Sequence, residues 1–261
     1  MLSFWISFFC IGIFVATAAY QIARKLKLMA IVDTIWTAGL GVSALVYHTV
    51  AGLESVRSWA VLLILFLWSF RLSFHLFRDR IFTGHEDPRY KALAEYWGAQ
   101  SARNFYFLFL AQIIFIALFL FPVSIAMQNP QPVWTWTDTL AVLIGISAMS
   151  GEWIADRQLA AFRANPKNKG GVCKDRLWRY SRHPNYFFEW LHWFAYLAFA
   201  VGSSSVGFAL VGPIAMFIFL RFLTGVPYAE MSSLKSRGEA YRQYQSSTNA
   251  FFPWIPRDKT T

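Results

Sequence analysis

Charge is the scarcest commodity in this sequence. Only 15% of its 261 residues are charged, against ~25% in an ordinary soluble domain, and acids number 14 against 24 lysines and arginines. With 56% of residues hydrophobic and 19% aromatic, this composition excludes a soluble domain and predicts an integral membrane protein. Cysteine is nearly absent too. Cys10 lies in an apolar run and Cys173 in a basic loop, so neither a disulfide framework nor a thiolate zinc site can be built, and no metal is expected. No G-x-G-x-x-G and no G-x-x-x-x-G-K-[ST] occurs, which excludes a Rossmann domain and a P-loop. Internal repeats, low-complexity tracts and a separate soluble domain are missing as well. The expected organisation is one membrane domain over 1–261, with a three-helix part and its loop at 1–104 and the remainder at 105–261.

Long apolar runs are what the sequence has in quantity. Runs near the ~20 residues needed to cross a bilayer fall at about 2–22, 28–50, 58–77, 105–127, 139–160, 185–201 and 206–224. They predict an all-α bundle of seven transmembrane helices. Alternate assignment of the connections places Arg24, Lys25 and Lys27, then 78–103, 157–182 and the tail from Lys235 on one side, while the opposite loops hold a single basic residue, Arg57. The positive-inside rule then sets the N-terminus outside and the tail in the cytoplasm. The net charge of +10 is thus a matter of topology, and no nucleic-acid partner is expected. Membrane lipids are the expected surroundings.

The stretch Leu177–Tyr196, LWRYSRHPNYFFEWLHWFAY, concentrates the unusual chemistry. Pro184 suits a first helical turn. Beyond it Asn185, Glu189, His192 and Tyr196 share one stripe at helical spacing. Polar groups on a membrane helix must face protein or water, which marks a cavity unless the stripe is a packing seam. Other polar groups sit at the same ends of their spans. Asp33 enters the second span with Trp36 and Thr37. As a buried acid it can polarise a carbonyl, or it can pair with Arg71 or another basic group. Trp68, Arg71, His75 and Arg78 form one face of the third span, suited to an anion or to lipid phosphates. Glu152, Asp156 and Arg163 leave the fifth span together, followed by Lys167, Lys169, Gly170, Gly171 and Lys174. Arg221 lies near the end of the seventh. Asp87 before Pro88 reads as a helix N-cap, and a short amphipathic helix is expected at Glu230–Tyr244, in a tail lying on the membrane surface. Gathered together, these groups would form a net-positive pocket for an anionic ligand with sugar hydroxyls, a nucleotide.

Asp156, Arg163, Lys169-Gly170-Gly171, Leu177-Trp178-Arg179-Tyr180, Asn185, Glu189 and Arg221 resemble the C-terminal domain of the steroid 5-alpha-reductase family. Glu86-Asp87-Pro88-Arg89-Tyr90 and Gly225-Val226-Pro227 resemble a bacterial branch of uncharacterised membrane proteins sharing that domain. The resemblance implies a seven-helix bundle in a bacterial inner membrane, with NADPH entering from the cytoplasm and reduction of a C=C bond beside a ketone in a hydrophobic small molecule. It implies cofactor contacts from Arg71, His75, Asp156, Arg163, Asn185 and Arg221, with Arg182, His183, Tyr186, Glu189 and Glu230 completing the expected set. The family's catalytic glutamate and tyrosine have no direct counterparts; Asp33 and Trp68 are the nearest substitutes. Phe188 stands where a glycine is usual before Glu189, which narrows the space there. A rival likeness runs through Arg182-His183-Pro184-x-Tyr186 to isoprenylcysteine carboxyl methyltransferases, which implies S-adenosylmethionine. A non-catalytic lipid-binding protein is the third reading.

Overall fold

The computed structural model describes residues 2–257, and these residues form helices and turns without a strand. Helices α1 (Leu2–Leu26), α2 (Ile31–Val50), α3 (Val56–Leu76), α4 (Pro88–Trp97) and α5 (Ser101–Met127) are followed by α6 (Trp136–Ala164) and the short α7 (Leu177–Tyr180). Then come α8 (Pro184–Phe199), α9 (Val206–Ala209), α10 (Val211–Ile218), α11 (Val226–Arg237) and α12 (Glu239–Ser247). Two wide π-helical turns, Phe77–Phe82 and Phe219–Leu223, extend α3 and α10.

Among the described residues, five helical segments are long and apolar enough to cross a membrane: Leu2–Leu26, Val56–Phe82, Pro88–Met127, Trp136–Ala164 and Val206–Arg237. The protein is therefore a helical membrane protein. The two other expected spans are present as helices but carry less apolar length. α8 has 16 residues, short of the ~20 that span a hydrocarbon core. α2 has 20 residues but intersperses Asp33, Thr34, Thr37 and His48 among its apolar ones.

The chain divides into two compact units: one is the chain through Thr135 together with Phe199–Val211, the other Trp136–Ala198 together with the chain from Gly212. The expected division near residue 104 thus falls inside the first unit. In that unit α2 packs against α1, α3 and α5. Ala19, Tyr20, Ala23, Ile31, Val32, Phe105 and Phe109 form a buried cluster, and lipid-sized apolar side chains such as Phe14, Leu63 and Ile114 point outward. Burial here follows helix-to-helix packing, since lipid is as apolar as the core.

The segment Glu86–Tyr90 is locked onto the start of α2. Asp87 caps α4 through the Arg89 N–H at 2.8 Å, as expected from the Asp-Pro pair. Ala30, at the N-cap of α2, provides no side-chain cap. Glu86 supplies it from afar, accepting from the N–H of Met29 and from that of Ala30 at 2.9 Å. A carboxylate at a helix N-terminus is favoured by both the open N–H groups and the dipole.

In the second unit α6, α8, α11 and α12 are tied together by polar contacts close to the ends of helices. The Trp178 indole donates to the Ala155 carbonyl at 3.0 Å, and Arg237 Nε donates to the Gly171 carbonyl at 2.8 Å. The single helix expected at Glu230–Tyr244 is instead two, broken at Gly238. That residue has φ +53, a conformation side-chain-bearing residues avoid.

Candidate functional site

The first unit holds four of the expected site residues. Asp33 pairs with basic groups that follow α3. Its Oδ2 accepts from Arg80 and from Arg89 Nη2 at 2.8 Å, and its Oδ1 accepts from the Tyr90 hydroxyl at 2.6 Å. Asp87 joins the same guanidiniums, lying 3.0 Å from each. Burial opposes the charge on Asp87, but Arg89 and Arg80 hold its carboxyl below the ordinary value. The result is a clip of two acids, two arginines and a tyrosine that fastens the loop after α3 to α2. Both oxygens of Asp33 therefore already accept from protein donors. Trp68 is fully buried, edge-on to Trp36 at 5.8 Å. Arg71 has its Nε and Nη2 shielded from solvent, whereas His75 is half exposed and 3.6 Å from Asp79. The stripe on α3 thus runs from core to solvent.

The second unit holds the remaining nine, eight of them in two groups at the entry to α8. The first group is a clamp. Arg182, 9% exposed, donates from Nε to Glu230 Oε1 at 2.6 Å and from Nη1 to the carbonyls of Gln245, at 3.0 Å, and Thr248. His183 Nε2 lies 3.3 Å from the same Glu230 oxygen, and Gln245 donates to the other oxygen at 2.8 Å. The His183 ring stacks on Tyr186 at 5.4 Å. Burial holds the imidazole toward its neutral form, with Glu230 opposing and Arg182 and Arg221 assisting; Arg221 is thereby placed within electrostatic reach of His183. The same environment pushes the Tyr241 phenol up to about 12, through burial first and Glu230 second. Buried Tyr244 donates to the carbonyls of Trp178 and, at 3.2 Å, Ser181. Arg182, His183 and Glu230 consequently hold one another and the C-terminal segment.

The second group is differently composed. Asn185, on the first turn of α8, donates from Nδ2 to Asp156 Oδ1 at 3.1 Å. A carboxylate only accepts, which fixes the amide's orientation. Its Oδ1 is then left buried with no hydrogen-bond partner among the described residues. Arg163 lies two turns along α6 from Asp156 and within electrostatic reach of Arg237. Arg237 itself is oriented by the Gly171 carbonyl and, at 3.3 Å each, by Ser233 and Ser236. Burial raises the nearby Cys173 thiol, so it stays in its protonated form. Two guanidiniums within electrostatic reach of each other create a positive field suited to an anion. Arg237 was missed in the sequence because it fell in the middle of the amphipathic helix expected at Glu230–Tyr244, where a basic residue reads as part of the polar face.

The rest of the stripe on α8 is buried. Glu189 is 7% exposed, and His192 Nε2 meets the Tyr196 hydroxyl at 2.7 Å with Tyr196 fully enclosed. The stripe thus faces protein, as a polar seam or cavity wall must. Phe188 has a specific neighbour: a Cβ at Gly151 of α6 would lie 2.4 Å from its ring. The glycine that makes room for this aromatic side chain is on the facing helix.

A family model described as "Protein of unknown function (DUF1295)" matches residues 19–248. The chain belongs to that family. No curated protein and no solved structure matches it.

Proposed function

We propose that this member of the family is an NADPH-dependent reductase of a bacterial inner membrane, acting on a C=C bond of a hydrophobic, enone-like molecule. In this reading the chain crosses the bilayer seven times with its N-terminus outside, and Asp156, Arg163 and Asn185 face the cytoplasm, where the cofactor is. The family resemblance to steroid 5-alpha-reductases through the C-terminal half belongs to the same proposal.

One observation carries it: Asn185 is pinned by Asp156 through its donor, while its acceptor is buried and unmatched. Leaving such an acceptor unsatisfied costs roughly 1–3 kcal/mol, which a ligand amide or amine N–H would recover. The neighbouring guanidiniums of Arg163 and Arg237 would hold a phosphate, and Asp156 has the acceptor chemistry for a ribose hydroxyl. NADPH supplies hydride when bound; the protein's part is to orient and to provide electrostatics. The methyltransferase reading leans on Arg182 and His183, which the clamp already engages. A methyl donor also needs no phosphate-sized positive field.

The test is thermal unfolding of purified protein with NADPH or with S-adenosylhomocysteine. NADPH at about 100 times its Kd should stabilise by about 2.7 kcal/mol, and Asn185→Ala or Asp156→Ala should remove most of that increment. Stabilisation by S-adenosylhomocysteine with indifference to NADPH overturns the proposal in favour of methyl transfer. Indifference to both favours the non-catalytic reading.

A further inference from the structure

We propose that the C-terminal segment Thr248–Arg257 is a built seat for an anionic phospholipid. This goes beyond the reductase reading and does not depend on it. The backbone of the segment is fixed rather than loose. Arg182 N–H donates to the Asn249 carbonyl at 2.9 Å, Ser181 Oγ to the Phe251 carbonyl at 2.8 Å, Trp254 N–H to the Tyr180 carbonyl at 2.9 Å and Arg257 N–H to the Ser247 carbonyl at 2.8 Å. Phe251 anchors the inner face, with its ring 5.3 Å from Phe217 and 5.9 Å from Trp190.

The outer face is apolar and uncovered. Tyr180, Pro253, Trp254 and Ile255 line an open groove, and Trp254 and Ile255 are 69% and 75% exposed. Burying the Trp254 and Ile255 side chains would gain several kcal/mol in total at ~25 cal/mol per Å², and tryptophan favours the level of the lipid headgroups. Pro253 and Pro256 have no N–H, so this face presents fewer backbone donors that hydrocarbon could not satisfy.

Charge selects the lipid. Exposed Arg179 adjoins Tyr180, and exposed Arg257 ends the segment. Neither 176–188 nor 248–257 contains an acidic residue. A headgroup with net negative charge is therefore attracted by basic residues that flank the groove's lining in the sequence, at ~1 kcal/mol per basic residue near a membrane surface. A zwitterionic headgroup lacks that net attraction.

The experiment uses the full chain with Cys10→Ser, Cys173→Ser and Ile255→Cys carrying a nitroxide, placed in nanodiscs of phosphatidylcholine with or without phosphatidylglycerol. The label should be relaxed by oxygen more than by a water-soluble nickel complex, and phosphatidylglycerol should raise the melting temperature. Arg179→Gln with Arg257→Gln, both at exposed positions, should cut that increment at least by half while leaving the label's depth unchanged. Stronger relaxation by nickel overturns the seat, as a segment facing water or a soluble partner would show. An increment that survives the double substitution, or that inorganic phosphate reproduces, equally overturns it. None of these outcomes depends on whether NADPH binds.

Discussion

Substitution of Glu230 should release the C-terminal segment from the entry to α8. Arg182 is 9% exposed, and its carboxylate partner lies 2.6 Å away from both Nε and Nη2. Removing one member of a pair this enclosed leaves a buried cation, which costs about 3 kcal/mol at the lower end of such cases. The carbonyls of Gln245 and Thr248 still bind Nη1, which argues for the lower end. If the segment opens locally, 3 kcal/mol raises the open population by roughly a hundredfold, since 1.4 kcal/mol is tenfold. Trypsin cleavage at Arg242 reports that population when closing outpaces cutting. Glu230→Ala should therefore speed this cleavage by about two orders of magnitude. Glu230→Ala combined with Arg182→Met should recover most of the loss, because an apolar residue of similar volume leaves no charge behind. Cleavage rising less than tenfold in Glu230→Ala, or no recovery in the double variant, refutes the clamp as drawn.

Two further substitutions test other joints. Gly151→Ala drives a methyl group to 2.4 Å from the Phe188 ring and should destabilise by about 1–3 kcal/mol; in a thermal-unfolding cycle, Phe188→Ala in the same chain should make the pair less harmful than the sum of the two. Asp33→Asn removes the charge that Arg80 and Arg89 share and should lower thermal stability whether or not cofactor is present. A variant with normal stability and abolished NADPH oxidation in the presence of an enone would instead return Asp33 to the role of catalytic acid.

Local features were legible in the sequence because their causes lie within a few residues. Asp87 caps α4 and Pro184 opens α8 for reasons written in adjacent side chains. The buried stripe from Glu189 through His192 to Tyr196 followed from helical spacing and the expense of polar groups in lipid. Partners across loops were not legible. Glu86 reaches N–H groups 56 and 57 residues back, and Arg182 finds its carboxylate 48 residues on. Which loop folds against which helix decides such pairs, and periodicity carries no record of it. The break at Gly238 was obscured for another reason: a continuous amphipathic pattern does not reveal that one glycine turns the backbone to positive φ.

Neighbouring residues at the entry to α8 separate what is structural from what the proposed function uses. Arg182 and His183 are matched by Glu230 and the tail, so their contacts account for their presence without a ligand. Asn185 lies on the next turn and is treated differently: its donor is satisfied and its acceptor is not. If this region were only a packing seam, an apolar side chain would serve better than half an amide, because it would leave no acceptor desolvated. Asp156 fixes the side chain and leaves its buried acceptor unmatched, available to a ligand N–H that enters. On the proposed reading, a fixed, unmatched acceptor is the expected resting form of a nucleotide contact. Asn185→Leu separates the two accounts, since a cofactor site loses the stabilisation that NADPH gives, whereas a seam shows only a change in unliganded stability, in which the relieved acceptor is set against the lost Asp156 contact.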